Sequence, residues 1–182
     1  DAVLRFIPGY EHYAHTEVAV EAEQSNRAMI TATGAHALTI TGKGRIACDG
    51  VAHYSRGDDA GMGTRLPISR RPRVMVLDAC RQVEVSGIEV VDSPMWTLHF
   101  VGCSTLRLSR LCIDNDRRMP NTDGVVIDGC TDVTIEDCEI RTADDGVVLK
   151  TSARLDGGTV PPCKGVVVRD CVIESRSCAL KS

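Results

Sequence analysis

The chain has 182 residues, with 21 Lys and Arg against 25 Asp and Glu and a formal net charge of −4. Its hydrophobic share of 43% is enough for one sizeable core, which excludes a disordered tail. A mildly acidic balance without a long Lys/Arg run argues against a dedicated nucleic-acid or anionic-membrane binder. No apolar stretch approaches the roughly 18 residues that a membrane-spanning helix needs. We therefore expect neither nucleic acid nor membrane as a partner.

Cysteine is frequent, with 9 residues, whereas the chain has only 1 Trp, 3 Tyr and 2 Phe. Because nine is an odd number, a disulfide framework that pairs every cysteine within the chain is excluded. No Cys-x2-Cys pair occurs and the spacings match no zinc knuckle, so we predict no metal site. Buried free thiols that pack as small apolar side chains are the favoured interpretation.

In chain order, the N-terminal part is the least regular. V-A-V at 18–20 and M-I-T-A at 29–32 predict strands, and residues 1–34 are interpreted as an opening coil or cap. Residues 52–72 have no periodicity, which predicts a long surface excursion. A second loop is expected at 153–162, where Gly and Pro are concentrated.

A repeated template predicts the fold. It reads Cys, two residues, apolar, any, apolar, two residues, apolar, any, apolar, and a partial copy begins at Ala35. The four full copies are C-R-Q-V-E-V-S-G-I-E-V from Cys80, C-S-T-L-R-L-S-R-L-C-I from Cys103, C-T-D-V-T-I-E-D-C-E-I from Cys130 and C-K-G-V-V-V-R-D-C-V-I from Cys163. Strict alternation indicates strands, so each copy predicts two short strands separated by a corner.

Short strands that recur every few tens of residues without intervening helices are typical of a solenoid. We predict an all-β chain folded as a right-handed, single-stranded parallel β-helix, with a β-sandwich as the alternative. Residues 1–182 would form one domain, in which 35–182 are the stacked coils. The four template cysteines should then form a ladder, because they occupy the same place in successive coils.

A tighter repeat carries the candidate chemistry. Asp123-Gly124-Val125-Val126-Ile127 recurs as Asp145-Gly146-Val147-Val148-Leu149. Equivalent positions in adjacent coils lie about 4.8 Å apart, so Asp123 and Asp145 should stack, with Asp144 beside them. Repulsion between close carboxylates raises the pKa of at least one of them. One protonated and one ionised carboxyl suit glycoside hydrolysis, although Asp-Gly is also an ordinary turn sequence.

These residues are similar to a known family. Asn121-Thr122-Asp123-Gly124 followed by Asp144-Asp145, with S-P-M-W-T-L-H at 93–99 upstream, resembles the polygalacturonase family of glycoside hydrolases. T-G-K-G-R-I at 41–46 resembles an early turn of that family, and the likeness covers roughly residues 28–182. The resemblance implies a pectin-lyase-like right-handed β-helix that cleaves pectic galacturonan by inverting hydrolysis, without a metal or other cofactor.

The resemblance also implies roles for the aspartates. Asp144 would be the general acid, Asp123 and Asp145 would share the attacking water, and Asn121 would orient the site. The family's Gly-His-Gly motif is replaced here by S-R-S-C-A-L-K-S, with Cys178 near the expected histidine. Related rhamnogalacturonan hydrolases and some exo-acting members also lack that histidine, so galacturonan, rhamnogalacturonan and modified pectin, and endo and exo cleavage, all stay open.

Two expectations concern the C-terminal end. The family's Arg-x-Lys motif lies further downstream than Ser182, and family members are about twice as long. We therefore expect a truncated β-helix whose 182 residues are inactive alone. Because an open coil exposes unpaired backbone groups, the remainder of the β-helix or another chain should cover this end.

Basic side chains are secondary candidates. Lys150 and Arg141 could bind the carboxylate of an acidic sugar, together with Arg117 and Arg118. His99, one coil upstream of Asn121, is a candidate substrate-binding residue, and a packing role for it is equally open. The same two roles, substrate binding and packing, are open for Trp96.

Two other functions are alternatives. In a β-helix lyase, clustered carboxylates would hold Ca²⁺; the candidate ligands are Asp114, Asp116, Asp123, Asp144 and Asp145. A non-catalytic binding or structural module is the third possibility, but one Trp makes a poor platform for sugar faces. The Asp58-Asp59 pair is interpreted as solvated. The compartment is open: the resemblance implies a secreted or periplasmic protein, whereas unpaired cysteines favour a reducing, cytoplasmic interior.

Overall fold

The computed structural model describes residues 2–20, 25–57, 63–155 and 157–182. These residues form short β-strands and two 3₁₀ turns, at Tyr10–His12 and Gly50–His53. The strands are β1 (Val3–Arg5), β2 (Ala14–Val20), β3 (Ser25–Thr33), β4 (His36–Thr41), β5 (Arg45–Ala47), β6 (Arg73–Asp78), β7 (Arg81–Ser86), β8 (Glu89–Val91), β9 (Leu98–Val101), β10 (Ser104–Ser109), β11 (Cys112–Asp114), β12 (Val125–Asp128), β13 (Thr131–Glu136), β14 (Glu139–Thr142), β15 (Val147–Lys150), β16 (Lys164–Arg169), β17 (Val172–Ser175) and β18 (Leu180–Lys181).

The strands stack into three sheets, and each coil of the chain contributes one strand to each sheet. Sheet A has the order β1-β5-β8-β11-β14-β17, sheet B the order β2-β3-β6-β9-β12-β15-β18, and sheet C the order β4-β7-β10-β13-β16. Neighbouring strands are parallel throughout these sheets, except for the antiparallel pair β2–β3. A coil such as β9, β10 and β11 therefore passes through sheets B, C and A in turn. The predicted all-β parallel β-helix is confirmed.

The core lies inside the coils, where the alternating apolar residues point. In the middle coils the predicted inward positions are buried, namely Val83, Val85, Ile88, Val90, Leu106, Leu108, Leu111, Ile113, Val133, Ile135, Cys138 and Ile140. Their counterparts in β16 and β17 are only half-buried, because these strands pack on a neighbouring coil on one side. This gradient follows from solenoid stacking, in which each coil is covered by its neighbours.

The cysteine ladder is present. The backbone N–H of Ser104 donates to the Cys80 carbonyl at 3.0 Å, and Thr131 and Lys164 repeat this contact with Cys103 and Cys130, also at 3.0 Å. The first three ladder cysteines are buried and Cys163 is half-buried. All nine cysteines of the chain are free thiols. They act as small core side chains at one corner of the coil.

The less regular segments cover the outside of the coils. The strands predicted at 18–20 and 29–32 lie within β2 and β3. From the excursion, Tyr54 forms an antiparallel bridge with Pro67, and the N–H of Arg65 reaches the Arg118 carbonyl at 2.7 Å. The Asp58-Asp59 pair lies outside the described residues. None of the described helices has the length and apolar character required to cross a bilayer.

Candidate active site

The candidate site lies in the row of loops that lead from sheet A strands to sheet B strands. The N–H of Thr97 donates to the Asp123 carbonyl at 2.8 Å, Gly124 to Asp145 at 2.9 Å, and Gly146 to Cys178 at 2.8 Å. β9, β12, β15 and β18 pair in register through Leu98, Val125, Val147 and Leu180. The residues two positions before these form a column, which we call the aspartate column: Trp96, Asp123, Asp145 and Cys178. Asp123 and Asp145 are therefore stacked, as the repeat predicts.

The glycines that follow the two aspartates are needed for close stacking. A Cβ atom on Gly124 would lie 2.6 Å from the Gly146 carbonyl oxygen. One on Gly146 would lie 2.3 Å from Cγ2 of Ile173 and 2.8 Å from the Ala179 carbonyl oxygen. Neither glycine has a positive φ angle. Glycine therefore recurs at these two positions because adjacent coils approach too closely for a side chain. It is not required here by the turn geometry for which Asp-Gly is often used.

Asp123 is a buried carboxyl with one oxygen atom that lacks a hydrogen-bond partner among the described residues. The residue is only 4% exposed, and the unpartnered atom is Oδ1. Burial, followed by repulsion from Asp144 and Asp145, raises the pKa of Asp123 to about 8, and Lys150 opposes this shift. Asp123 is therefore protonated at neutral pH.

Asp145 is equally buried but has the opposite electrostatics. Its Oδ2 atom pairs with Nζ of Lys181 at 2.9 Å, and its Oδ1 atom accepts from Oγ of Ser177 at 2.8 Å and from the N–H of Cys178 at 3.3 Å. Burial alone would raise the pKa of Asp145, but these donors outweigh it and hold the pKa below its ordinary value. Two stacked carboxyls thus differ in protonation state.

Asp144 has the most accessible carboxyl of the three, since its residue is half-buried while the other two are buried. Its Oδ1 atom accepts from the backbone N–H of Asp145 at 2.9 Å. Its carbonyl accepts from the hydroxyl groups of Thr142 at 2.6 Å and Ser175 at 2.7 Å, which belong to two successive coils. The backbone of Asp144 is thus fixed by hydrogen bonds from two coils, while its residue stays partly exposed.

Asn121 is held by the excursion. It has a φ angle of 61°, a left-handed conformation that Asn tolerates, and its Oδ1 atom accepts from Nη2 of Arg71 at 2.9 Å. Nη1 of the buried Arg71 donates to the hydroxyl of Tyr54 at 2.6 Å and to the Pro120 carbonyl at 2.9 Å. The sequence reasoning missed Arg71 and Tyr54, because the non-periodic excursion gives no register that would place them beside the aspartates.

Lys150 lies beside the aspartates, whereas His99 lies behind them. Nζ of Lys150 is 3.9 Å from the centroid of the Trp96 ring, and Trp96 packs edge-on against the His99 ring at 5.1 Å. His99 is fully buried: Nη1 of Arg73 donates to its Nδ1 at 2.9 Å, and its Nε2 donates to Asp128 at 3.3 Å. Burial lowers the pKa of His99 to about 4. His99 therefore supports Trp96 from within, and the prediction that it contacts a substrate is corrected on this ground.

Arg141 is not brought to the aspartates. Its guanidinium contacts Glu139 and lies 3.7 Å from Glu174, on the outer side of sheet A, since its neighbours in β14 point inward. Arg117 pairs with the same Glu174. These basic residues make surface ion pairs, which contribute little to stability. The predicted role of Arg141 as a carboxylate ligand finds no support in this placement.

The ligand set of the lyase alternative does not converge. Within the described ranges, no group of three His, Cys, Asp or Glu side chains is arranged to hold a metal ion. Asp116 is instead engaged by Arg118, whose Nη2 lies 2.6 Å from its Oδ2, and Asp114 is exposed in β11. The carboxylates at the site are Asp123, Asp144 and Asp145, and a lysine is paired with one of them.

Comparison with known proteins now gives the family. The sequence matches glycosyl hydrolases family 28 over residues 11–176. The chain belongs to that family. It is 33% identical over 81 residues to a probable polygalacturonase of Arabidopsis thaliana, covering 44% of this chain and 18% of the relative. It is 27% identical over 134 residues to polygalacturonase QRT2 of the same plant, covering 72% of this chain and 30% of the relative.

Solved structures of this family share the fold. An exopolygalacturonase from Thermotoga maritima superposes with a TM-score of 0.73 at 24% identity, covering 96% of this chain and 47% of that one. A polygalacturonase from Erwinia carotovora gives a TM-score of 0.72 at 16% identity, covering 95% and 51%. The coil is accordingly a right-handed parallel β-helix. The chain spans about half of these two structures and less than a third of the two curated relatives.

Proposed function

We propose that the protein carrying this chain is a glycoside hydrolase that cleaves pectin-type acidic polysaccharide by an inverting acid/base mechanism. The observation that carries the proposal is the pair of stacked carboxyls in opposite protonation states: Asp123 is protonated at neutral pH, and Asp145 is ionised beside Lys181. Inverting hydrolysis requires a carboxylate that activates water and a separate carboxyl group that protonates the leaving oxygen. The stacked pair would hold and activate the water, and Asp144 beside it is proposed as the proton donor. Membership of family 28 supports this reaction class.

The burial of each aspartate supports a role for it. Asp144, the most accessible, is suited to contact the glycosidic oxygen and, in its protonated form, to donate the proton to the leaving group. Asp145 is suited to take the proton of the attacking water, because it is held ionised. Asp123, protonated and one coil away, can donate a hydrogen bond that orients the same water. The water oxygen bonds to the anomeric carbon as the carbon–oxygen bond to the leaving sugar breaks.

Two further residues are proposed to bind the substrate. Lys150 is held over the Trp96 ring and carries a positive charge near Asp123, which suits it to bind a uronate carboxylate. Asn121 is fixed by Arg71 in the loop that precedes Asp123, which suits it to orient groups at the site. These polar groups, and relatives that are named polygalacturonases, support an acidic polysaccharide as the substrate class.

The test is the substitution Asp144→Asn in the full-length polypeptide. Reducing-sugar release from polygalacturonate should fall by about 10³-fold, within the range known for general acids, while the circular dichroism spectrum stays unchanged. Asp132→Asn is the matched control, because Asp132 is exposed in sheet C and its left-handed backbone (φ 55°) accepts Asn. The product of the wild type should have inverted anomeric configuration by NMR.

Several results would contradict the proposal. Asp144→Asn retaining a tenth or more of wild-type activity would remove Asp144 from the mechanism. A product with retained configuration would exclude the inverting route. A product that absorbs ultraviolet light, formed with sensitivity to a chelator, would indicate a lyase instead.

A further inference from the structure

We propose that Lys181 is a positioning residue of this site, a role that rests on the proposed function: it fixes the Asp145 carboxylate and makes Asp145, of the two stacked aspartates, the ionised base. Lys181 lies in β18, where it pairs in register with Val148 of β15. It therefore comes from the coil next to Asp145, on the side opposite Asp123. Neither the repeat nor the resemblance singles it out.

One short segment of the chain holds the Asp145 carboxylate. Residues 177–181 supply donors to both oxygen atoms: Ser177 and the Cys178 N–H to Oδ1, and Lys181 to Oδ2. The Asp145 side chain is only 4% exposed, and Lys181 reaches it from an exposed position on the neighbouring strand. Because both oxygens are fixed by one short segment, the orientation of the carboxylate plane is set.

A comparison within the aspartate column isolates what Lys181 does. Asp123 and Asp145 occupy equivalent positions, are buried to a similar degree and are followed by the same Gly-Val-Val sequence. Asp123 has an unpartnered Oδ1 atom, and the nearest opposing charge acting on it is Lys150, which makes no hydrogen bond to it in the described structure. Asp145 has a direct ion pair with Lys181. Stacked carboxylates repel each other, so the one with the cation ionises first.

Several other titratable groups surround Asp145. Asp123 and Asp144 are acidic and oppose its ionisation, and the exposed Cys178 thiol lies at the next position of the column. Lys150 acts on Asp123 from β15. Among the described residues, Lys181 is the cation in hydrogen-bond contact with Asp145. Lysine stays charged across the neutral range, unlike the histidine that the resemblance leads one to expect in segment 175–182.

The decisive variant is Lys181→Met, which keeps the length of the side chain and removes its charge. In the full-length polypeptide, the acid limb of the pH profile of kcat/KM for polygalacturonate should move upward by about one pH unit, so activity below the limb falls about tenfold. The effect should appear in kcat more than in KM. Lys181→Arg should restore most of the profile. Lys164→Met, which removes an exposed lysine in sheet C, is the matched control and should leave the profile unchanged.

A second readout does not depend on turnover. The side-chain carboxyl carbon of Asp145, followed by NMR, should titrate at higher pH in Lys181→Met than in the wild type, and Ser177→Ala should give a smaller shift in the same direction. An unchanged titration and pH profile in Lys181→Met would overturn the proposal, as would equal shifts in Lys164→Met. If the wild type shows no hydrolysis, the proposed function fails, while the titration still decides whether Lys181 controls Asp145.

Discussion

Two columns of equivalent residues run along this β-helix at different corners of the coil. In the cysteine ladder, Cys80, Cys103 and Cys130 repeat one residue type, and all three are buried. In the aspartate column the occupant changes along the helix, from Trp96 through the two aspartates to Cys178. The geometry is the same in both, because each column joins adjacent parallel strands.

The difference between the columns is electrostatic. The thiol of Cys130 stays neutral in the ladder, because its hydrogen bond with Cys103, together with burial, raises its pKa far above the ordinary value. Neutral groups stack without penalty, so the ladder can repeat. Two buried carboxylates cannot stack in this way, and here a proton on Asp123 and a cation beside Asp145 offset the repulsion. An arrangement this costly for the fold indicates a functional site.

The largest expected effect comes from removing the buried acid of the aspartate column. Asp123 has a folded pKa of about 8, above the roughly 3.9 of an unfolded chain. The contribution of protonated Asp123 to the free energy of unfolding is therefore fully present below about pH 4 and is lost as the pH rises through 8. Asp123→Asn should abolish this loss, so that at pH 9 the free energy of unfolding exceeds that of the wild type by up to several kcal/mol.

Urea unfolding of both proteins between pH 4 and 9 measures this difference. Asp132→Asn controls for the loss of one negative charge at an exposed position. Hydrolysis by Asp123→Asn should fall at the same time, since stability and activity oppose each other at such sites. Parallel pH dependences for wild type and variant would show that Asp123 is ionised in the folded state, and the contrast between the columns would disappear.

A smaller effect is expected from Gly146, whose lack of a side chain lets adjacent coils approach each other at the aspartate column. In Gly146→Ala the added Cβ would meet Ile173 Cγ2 at 2.3 Å and a backbone oxygen of the next coil at 2.8 Å. Forcing these coils apart should reduce the free energy of unfolding by about 1–3 kcal/mol. It should also shift Asp145 from Lys181 and lower hydrolysis. Thermal unfolding measures the first effect. Gly102→Ala, where the added Cβ meets no atom within 4 Å but the φ angle is 55°, measures the cost of backbone strain without a clash between coils. Equal stability of Gly146→Ala and wild type would mean that the coils are not in close contact at this position.

How much the sequence predicts depends on whether a residue lies in the repeat. The template gave the strands, the inward positions and the ladder, because period-two alternation and burial are coupled within a coil. The stacking of Asp123 on Asp145 followed from the same register. For the side chains at the site, however, register alone was not sufficient.

Three residues show why. Arg71 comes from a segment without periodicity, so its contact with Asn121 depends on how the excursion folds over the coils. Lys181 lies in the segment that replaces the family's Gly-His-Gly motif, where attention fell on Cys178. Extending the strand register from Val148 to the next coil would have identified Lys181. His99 was placed in the correct strand, but the sequence did not reveal that Arg73 and Asp128 form hydrogen bonds with its ring, or that Thr16 of β2 holds Arg73.

The smallest expected effect comes from the ladder. Cys130→Ala removes one buried sulfur atom from between two others, which should reduce the free energy of unfolding by about 1 kcal/mol, because a small cavity remains. Cys178→Ala, at an exposed position, should change stability very little. Because its hydrogen bond with Cys103 and its burial hold the pKa of Cys130 far above the ordinary value, the Cys130→Ala loss should be the same at pH 5 and pH 8, in contrast to the pH-dependent effect of Asp123→Asn. A pH-dependent loss in Cys130→Ala would show that ionisation in the ladder depends on Cys130, and the electrostatic contrast between the two columns would disappear.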